Sequence, residues 1–153
     1  MEREIKFRGI YTDINGNKKW VYGDLVHGKK ITQTGLENKV SVGGYPVDAN
    51  TVGQYTGIKD INGKEIFDDD IVISHKNAYK CSDEWCKIIK LYWHIYYFDG
   101  SFLFEFIKAE LNEKNYKEYD KLEHKPYDYI SNTDYRDLEI IGNKFDNPEL
   151  LKP

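Results

Sequence analysis

Short stretches of alternating apolar and polar residues recur along the chain, a pattern typical of antiparallel strands with one buried face. We expect a strand over Glu4–Tyr11, in which Ile5 and Phe7 share a face, and a partner strand at Trp20–Tyr22. Between them, Asp13-Ile-Asn-Gly16 predicts a tight turn, because Asn and Gly tolerate the backbone dihedrals that such turns need. The first part of the chain therefore predicts a β-hairpin.

The stretch from Thr51 to Ile73 repeats this arrangement. Asp60-Ile-Asn-Gly63 is the same four-residue turn, and Ile71–Ile73 is a β-branched run suited to a buried strand. The similarity between residues 13–26 and 60–72 has two interpretations. One is an internal duplication that gives two similar β units, and the other is two hairpins that use the same turn chemistry independently. The shortness of the match favours the second.

The remaining segments also favour strands. Lys29–Asn50 is polar and rich in Gly, which predicts short strands joined by loops, with Pro46 confining one of them to a sheet edge. Asp99-Gly100 lies between two aromatic-rich alternating runs and predicts a two-residue hairpin turn. A weak helical spacing at Ile107, Leu111 and Asn115 and the polar stretch Tyr119–Arg136 predict a loop with a short helix. The other strands are expected at Ile71–Tyr79, Lys87–Phe98, Ser101–Ile107 and Leu138–Ile141.

These elements predict a mainly β fold of short antiparallel strands and hairpins with little helix. The layout of the carboxy-terminal part resembles a small SH3-like barrel. We expect an amino-terminal β unit over residues 1–48 and a barrel-like unit over 49–153, with one continuous domain as the alternative. A chain of 153 residues is long enough to bury about 70% of its unfolded surface in one core or two small ones.

The amino-acid composition limits the classes of protein to which the chain can belong. Hydrophobic residues make up 40% of the chain and charged residues 31%, which is typical of a soluble globular protein. Since no apolar run approaches the length of about 20 residues that crosses a bilayer, and the amino terminus lacks the apolar core of a secretory signal, we expect a cytoplasmic protein without membrane contact. A net charge of −4 works against indiscriminate nucleic-acid binding.

One basic and aromatic segment is nevertheless a candidate binding site. Residues 1–47 carry eight basic and five acidic residues, a net +3, and Lys18, Lys19, Trp20 and Tyr22 lie together among them. Stacking of bases on exposed aromatic side chains contributes about 1–3 kcal/mol per base in single-stranded complexes. The alternative is that Trp20 packs in the core, as alternate aromatic residues of strands do, and we favour it.

Candidate metal sites are weak. Cys81 and Cys86, with His75 and His94 on flanking strands, offer zinc ligands, but histidines placed outside the cysteines are unusual for zinc proteins. We expect two free thiols. The run Asp68 to Asp70 does not suit an ion either, because successive residues of an extended chain point to opposite faces. We expect no metal.

Signatures of catalysis are absent from the sequence. It contains no G-x-S-x-G elbow, no Walker loop and no dinucleotide-binding loop. The histidines lie in unrelated contexts, and the paired carboxylates are those of any acidic surface. We therefore predict no catalytic residue, no cofactor and no enzymatic activity.

Six short segments at the start, middle and end of the chain carry a recognisable pattern. They are Arg3-Glu-Ile-Lys-Phe-Arg8, Thr51-Val-Gly-Gln-Tyr-Thr-Gly-Ile58, Asn62-Gly-Lys-Glu-Ile66, Asp70-Ile-Val72, Glu139-Ile-Ile-Gly-Asn143 and Asn147-Pro-Glu-Leu-Leu151. Together they resemble the YopX family of small phage and prophage proteins. The resemblance implies a mostly β fold and an origin in a mobile element, and it brings no active site. Asp69 departs from the pattern, because a glycine is expected before the aspartate, and residues 76–136 carry no family motif.

We therefore predict a non-enzymatic phage or prophage accessory protein that binds a protein partner, self-association included. The first alternative is a nucleic-acid-binding protein that uses the basic amino-terminal hairpin. The second is an enzyme of unrecognised type. Lysines on one face beside an exposed aromatic residue would favour the first alternative, and a histidine gathered with two carboxylates in a cleft would favour the second.

Overall fold

A computed structural model describes residues 4–74, 88–111, 127–129 and 137–153, and these residues form a mainly antiparallel β protein. The fold class predicted from the sequence is confirmed. Helical structure in the described ranges is 3-10 only, as in Ala49–Thr51 and Pro148–Leu151. The same ranges include no helix with the length and apolar character to cross a membrane. The chain divides into two compact units, Met1–Gly57 and Ile58–Pro153.

The first unit is built from hairpins. Strand β2 pairs with β1, and β6 lies on the other side of β1, whereas β3, β4 and β5 form a separate three-stranded sheet in that order. The last strand continues past the end of the unit. The strands are β1 Phe7–Thr12, β2 Lys18–Gly23, β3 Leu25–Thr32, β4 Gly35–Val42, β5 Tyr45–Pro46 and β6 Gly53–Lys59.

Alternation along these strands places a small core on one face of the β1–β2 hairpin. Val21 pairs with Gly9 across the two strands and is buried, as are Val42 and Tyr55. A Cβ atom at Gly9 would approach the side chain of Val47 to 3.0 Å, so the absence of a side chain allows close packing there. The first unit is therefore held by few apolar side chains.

The second unit is a five-stranded antiparallel sheet in the order β11-β10-β9-β8-β12, with β7 preceding β8. Aromatic and β-branched residues on its inner face form the main core, and this pattern follows from the period-2 alternation of the sequence. The strands are β7 Glu65–Phe67, β8 Asp70–Ser74, β9 Ile88–Phe98, β10 Ser101–Leu111, β11 Tyr127–Tyr129 and β12 Leu138–Asn143. The buried cluster comprises Ile66, Val72, Leu91, Trp93, Ile95, Phe102, Phe104 and Leu138.

Several expectations from the sequence are confirmed. The Asp99-Gly100 turn joins β9 to β10, and Pro46 lies in β5 at a sheet edge. Two were wrong. Ile107 and Leu111 belong to strand β10, not to a helix, because pairing with β9 extends through them. The segment after Lys29 forms two long paired strands, β3 and β4, instead of short strands joined by loops.

Some predicted features lie outside the described residues. They include most of the stretch 112–136 and the proposed zinc ligands Cys81, Cys86 and His75. The likeness of the carboxy-terminal layout to an SH3-like barrel stays a prediction.

Candidate functional site

The four residues predicted from the sequence as a binding site all lie on strand β2. The alternation of side chains along the strand places them on two different faces. Lys18, Trp20 and Tyr22 share one face, and Lys19 lies on the other, since successive strand residues alternate. Lys18 and Lys19 are exposed, Trp20 is half-buried, and Tyr22 is 50% exposed. The structure therefore brings three of the four residues together.

Neighbouring side chains engage both faces of this strand. On the face of Trp20, the guanidinium of Arg8 lies 4.6 Å from the centre of the indole ring, within the range of a cation–π contact. On the opposite face, the ammonium of Lys19 lies 4.7 Å from the ring of Tyr45 and 5.5 Å from that of Tyr11. The Trp20 ring thus contacts Arg8 of the paired strand β1, and whether it also takes part in binding stays a prediction.

A second candidate surface is the hairpin arm, which we define as β3, β4 and their connecting turn, Leu25–Val42. Only the base of the arm is buried, at Val42, and most residues of both strands are exposed. A two-stranded hairpin exposed on both faces is marginally stable in water unless something packs against it. The arm therefore exposes three large apolar side chains, Val26, Ile31 and Leu36.

The two faces of the arm differ in chemistry. The strand register places Ile31 opposite Leu36 near the turn, on the same face as the half-buried Leu25 and the buried Val42 at the base. Ile31 is 88% exposed and Leu36 is 66% exposed. On the other face Lys30 pairs with Glu37, Nζ to Oε2, at 3.3 Å. One face of the arm is thus apolar at its tip, and the other is charged.

Close backbone contact fixes the base of the arm. The N–H of Gly43 donates to the C=O of Asp24 at 3.1 Å, which continues the ladder past the last residue of β4. Gly43 has φ of 57°, and a Cβ atom there would collide with the carbonyl oxygen of Tyr22. Glycine is required on both counts, so the direction in which the arm leaves β2 is defined by the backbone.

The second unit contains a group of polar and charged side chains that we call the His94 cluster: Asp69, His94, Glu105 and Lys144. Nε2 of His94 lies 2.9 Å from Oδ1 of Asp69, and Nδ1 lies 3.4 Å from Oε2 of Glu105. The ammonium of Lys144 approaches the same Asp69 oxygen to 3.4 Å. The ring of Tyr96 stacks on the imidazole at a centroid distance of 5.7 Å. The β7–β8 turn, the β9–β10 hairpin and the segment after β12 therefore meet in this cluster.

Strand pairing explains why these residues converge. His94 lies opposite Glu105 in the β9–β10 register, on the outer face of the sheet. The backbone of Asp69 is held on both sides, because its N–H donates to Ile95 at 2.8 Å and its C=O accepts from Lys144 at 2.9 Å. The turn between β7 and β8 is thereby attached to β9 and to the segment after β12.

Charge and burial act in opposite directions on the two acidic residues of this turn. Burial would raise the pKa of Asp69, but the hydrogen bond from His94 and the charge of Lys144 outweigh it and lower that pKa below its usual value. Burial raises the pKa of Asp68, and the neighbouring charge of Asp69 adds to this, although the N–H of Tyr97 donates to Asp68 at 2.9 Å. Asp69 is the carboxylate that the cluster stabilises.

The sequence of the whole chain matches a known family. The sequence profile of the YopX protein family covers residues 6–152. The chain belongs to the YopX family. Protein EF1440 from Enterococcus faecalis is a similar solved structure, at 21% identity over 99% of this chain and 100% of that chain, with a TM-score of 0.42. No curated protein matches the chain.

Membership of the YopX family makes one residue of the cluster conspicuous. Asp69 lies where the resemblance leads us to expect a glycine, and its φ is +68°. A non-glycine residue in this left-handed region costs about 1–2 kcal/mol of backbone strain, which glycine would avoid. The carboxylate placed against His94 and Lys144 offsets that cost through a charged hydrogen bond and an ion pair.

The cluster gathers a histidine with two carboxylates, which is part of the arrangement expected of the enzyme alternative. Both ring nitrogens of His94 face carboxylate oxygens, and the residue is 9% exposed. Within the described ranges, no group of three or more His, Cys, Asp or Glu side chains has a geometry that could hold a metal ion.

Two features escaped the sequence-based prediction. Alternation did mark Val40 and Val42 as strand residues, but it does not show that the apolar tip of the arm stays exposed. The pairing of His94 with Asp69 joins residues 25 positions apart and needs the sheet register. The glycine-to-aspartate departure at residue 69 was the available signal, because a side chain at a turn position that favours glycine is a mark of a functional or structural contact.

Proposed function

We propose that the protein is a non-enzymatic binding module of a phage or prophage that acts in the bacterial cytoplasm on a protein partner. Its docking surface is the apolar face of the hairpin arm. The proposal is carried by one observation, the exposure of the cross-strand pair Ile31 and Leu36 at the tip of the hairpin.

Burial of the apolar pair Ile31 and Leu36 favours binding of a partner at the tip of the arm. Burying a side chain such as Ile or Leu contributes about 1.5–3 kcal/mol, so covering the pair at the tip supplies a useful fraction of a micromolar affinity. The aliphatic side chains lie at the end of a strand pair whose base is fixed by Gly43 and Val42. A surface that is apolar at its centre and charged at its rim is the usual anatomy of a protein interface.

The charge of the arm defines the chemistry of the partner. Lys29, Lys30 and Lys39 against Glu37 give the arm a net +2, and His27 lies beside them. A complementary partner presents apolar side chains surrounded by carboxylates. We therefore propose an acidic protein as the occupant of the arm.

Affinity capture with matched variants tests the proposal. Tagged protein is incubated with bacterial host lysate, with and without nuclease, and bound proteins are identified by mass spectrometry. The double variant Ile31→Ser/Leu36→Ser removes the apolar tip. Ile14→Ser is the control, since Ile14 is fully exposed in a different turn of the same unit.

We expect a partner that is retained after nuclease treatment, lost by the double variant and kept by the control. Recovery that collapses under nuclease, or that is unchanged by the double variant, would contradict the proposal. The samples with and without nuclease also test the main alternative, nucleic-acid binding. Binding through phosphate groups is lost when the nucleic acid is degraded.

Nucleic-acid binding is the second candidate, and one observation favours it. Lys18 and Tyr22 are exposed on the face of β2 that also holds the stacked pair of Arg8 and Trp20. Tyr22 is the half-exposed aromatic side chain on that face, and bases stack on exposed aromatic rings. Substitution Tyr22→Ala should weaken binding of a labelled single-stranded oligonucleotide if this candidate is correct, and should leave the captured protein partner unaffected if it is not.

A further inference from the structure

The outer edge of strand β3 has the features of a site for an added strand. Strand β3 is terminal in the order β3-β4-β5, so β4 covers one of its edges and no strand of the described residues pairs with the other. It runs for eight residues, from Leu25 to Thr32, without proline or a break in the register. An exposed edge of this length presents a row of backbone donors and acceptors to any extended chain.

Hairpin geometry identifies the groups on that edge. The turn closes on the pair Thr32 and Gly35, and closing pairs of two-residue hairpins exchange hydrogen bonds. Residues then alternate between pairs that bond across the hairpin and pairs whose N–H and C=O point away from it. The outward groups on β3 accordingly belong to Leu25, His27, Lys29 and Ile31.

Charge on this edge disfavours pairing with a second copy of the chain. Lys29 and Lys30 occupy the centre of β3, and an antiparallel pair of two β3 strands brings these lysines near their counterparts. Lysine at the centre of an edge strand is a common way to prevent such self-pairing. The same lysines attract a strand that carries carboxylates.

We infer that β3 receives an extended, acidic segment of the protein partner as an additional antiparallel or parallel strand. The inference rests on the proposed function, since it specifies how the partner occupies the arm. Backbone hydrogen bonds to Lys29 and its outward-facing neighbours bind an extended segment in any register. The side chains of the added strand determine which sequence binds best. On one face of the added strand, apolar residues extend the surface of Ile31 and Leu36. On the other face, acidic residues meet Lys30 and Lys39.

A synthetic peptide tests this arrangement on the purified protein. The probe is a capped peptide of the same length as β3 that alternates valine and glutamate, and its control alternates valine and lysine. With isotopically labelled protein, we expect the acidic probe to shift the amide resonances of His27, Lys29 and Ile31 in a saturable manner. Exchange of these amide hydrogens should slow by at least about fivefold, because hydrogen-bonded amides are protected.

Two variants distinguish the contribution of the outward N–H of residue 29 from that of the lysine charge. Lys29→Pro removes one outward N–H and leaves the bonds to β4, whereas Lys29→Thr removes the same charge and keeps that N–H. We expect the proline variant to bind the acidic probe at least about tenfold more weakly than the threonine variant. If the proline substitution disturbs the hairpin, the resonances of β4 report it, and the exchange measurement on the unmodified protein still decides.

The inference is overturned if neither peptide binds, if both bind equally, or if binding moves only the methyl resonances of Ile31 and Leu36 without protecting the outward amides. In that last case the arm binds through its face alone. Whether the double variant Ile31→Ser/Leu36→Ser still captures the partner is measured separately. Failure of strand addition and failure of the proposed function therefore give different results.

Discussion

The sequence Asp-Ile-Asn-Gly occurs twice in this protein, at 13–16 and 60–63, and the two copies form the same turn in different surroundings. In each, Oδ1 of the aspartate accepts two backbone N–H groups, from residues two and four positions later, at 2.8–2.9 Å. In each, the glycine donates to the aspartate C=O and has a positive φ, +83° at Gly16 and +78° at Gly63. Local chemistry alone therefore defines the turn.

The surroundings of the two turns differ. Oδ2 of Asp60 accepts the N–H of Ile140 at 3.2 Å, and the N–H of Ile61 donates to Leu138 at 2.8 Å, so this turn is attached to strand β12. Asp60 is 6% exposed. The Oδ2 atom of Asp13 accepts instead from the neighbouring Asn17 side chain, and Ile14 is fully exposed. One copy is a tertiary contact, and the other is a solvated hairpin turn.

The comparison shows which properties belong to four residues and which to the fold. Conformation and local hydrogen bonds are the same in both copies because they depend on neighbours in sequence. Burial and long-range contact differ because they depend on a strand 80 residues away. Substitutions at equivalent positions should therefore separate local from tertiary contributions.

The largest effect is expected for Asp60→Ala. This substitution removes the acceptor of three part-buried N–H groups, those of Asn62, Lys64 and Ile140, and a group left unpaired where water cannot replace the carboxylate costs about 1–3 kcal/mol. We predict a loss of about 3 kcal/mol in the free energy of unfolding, measured by denaturant titration. Asp13→Ala is the matched control and should lose much less, since water replaces the carboxylate there. Equal losses would show that the contact with β12 contributes nothing.

A smaller effect is expected at a third aspartate turn, where charges rather than amides hold the carboxylate. Asp69→Asn keeps the size and the left-handed backbone conformation but removes the carboxylate charge that faces His94 and Lys144. We predict a loss of about 1.5 kcal/mol at neutral pH, because hydrogen bonds to charged groups contribute about that amount. An unchanged free energy of unfolding would contradict the role given to the His94 cluster.

The pH dependence of that difference has a defined sign. The pKa of Asp69 is lowered in the folded protein, so its contribution is complete above the unfolded pKa and is lost as the pH falls through the folded pKa. The stability difference between the original protein and Asp69→Asn should be constant above about pH 5 and should shrink below about pH 4. In Asp69→Asn the pKa of Asp68 should also move down towards its usual value, because the charge of Asp69 is one cause of its rise.

Substitution of the turn glycines Gly16 and Gly63 by alanine should lower the free energy of unfolding by similar amounts. Gly16→Ala and Gly63→Ala each place a Cβ in the left-handed region, with open space around both. We predict a loss of about 1 kcal/mol in each case, from backbone strain alone. A difference between them larger than the error of the two unfolding curves would mean that tertiary contact also strains the second turn.

The smallest effect concerns the titration of Asp13. Hydrogen bonds from the side chain and the backbone of Asn17 lower the pKa of this exposed carboxyl group. Carbon-detected NMR titration should give a midpoint for Asp13 below 3.8, and Asn17→Ala should move it upward towards that value. A midpoint that does not move would show that the backbone amides alone hold the carboxylate.

The same division between local and tertiary information explains what the sequence predicted. The Asp-Gly and Asn-Gly turns and the strands around Val72 and Phe104 were predictable, because turn chemistry and alternation are local signals. The extension of β10 through Ile107 was missed, since pairing with β9 overrides a weak helical spacing. The exposure of Ile31 was missed for a related reason: alternation marks an apolar face but not whether another element covers it.

Site-specific photo-crosslinking in host cells tests the central claim, that the hairpin arm docks a protein. A photoreactive amino acid replaces Ile31 in one variant and Ile14 in another, two isoleucines of the same unit that are 88% and 100% exposed. The account predicts a discrete protein adduct from position 31 and none from position 14. Adducts of equal intensity from both positions, or no protein adduct from position 31, would contradict it.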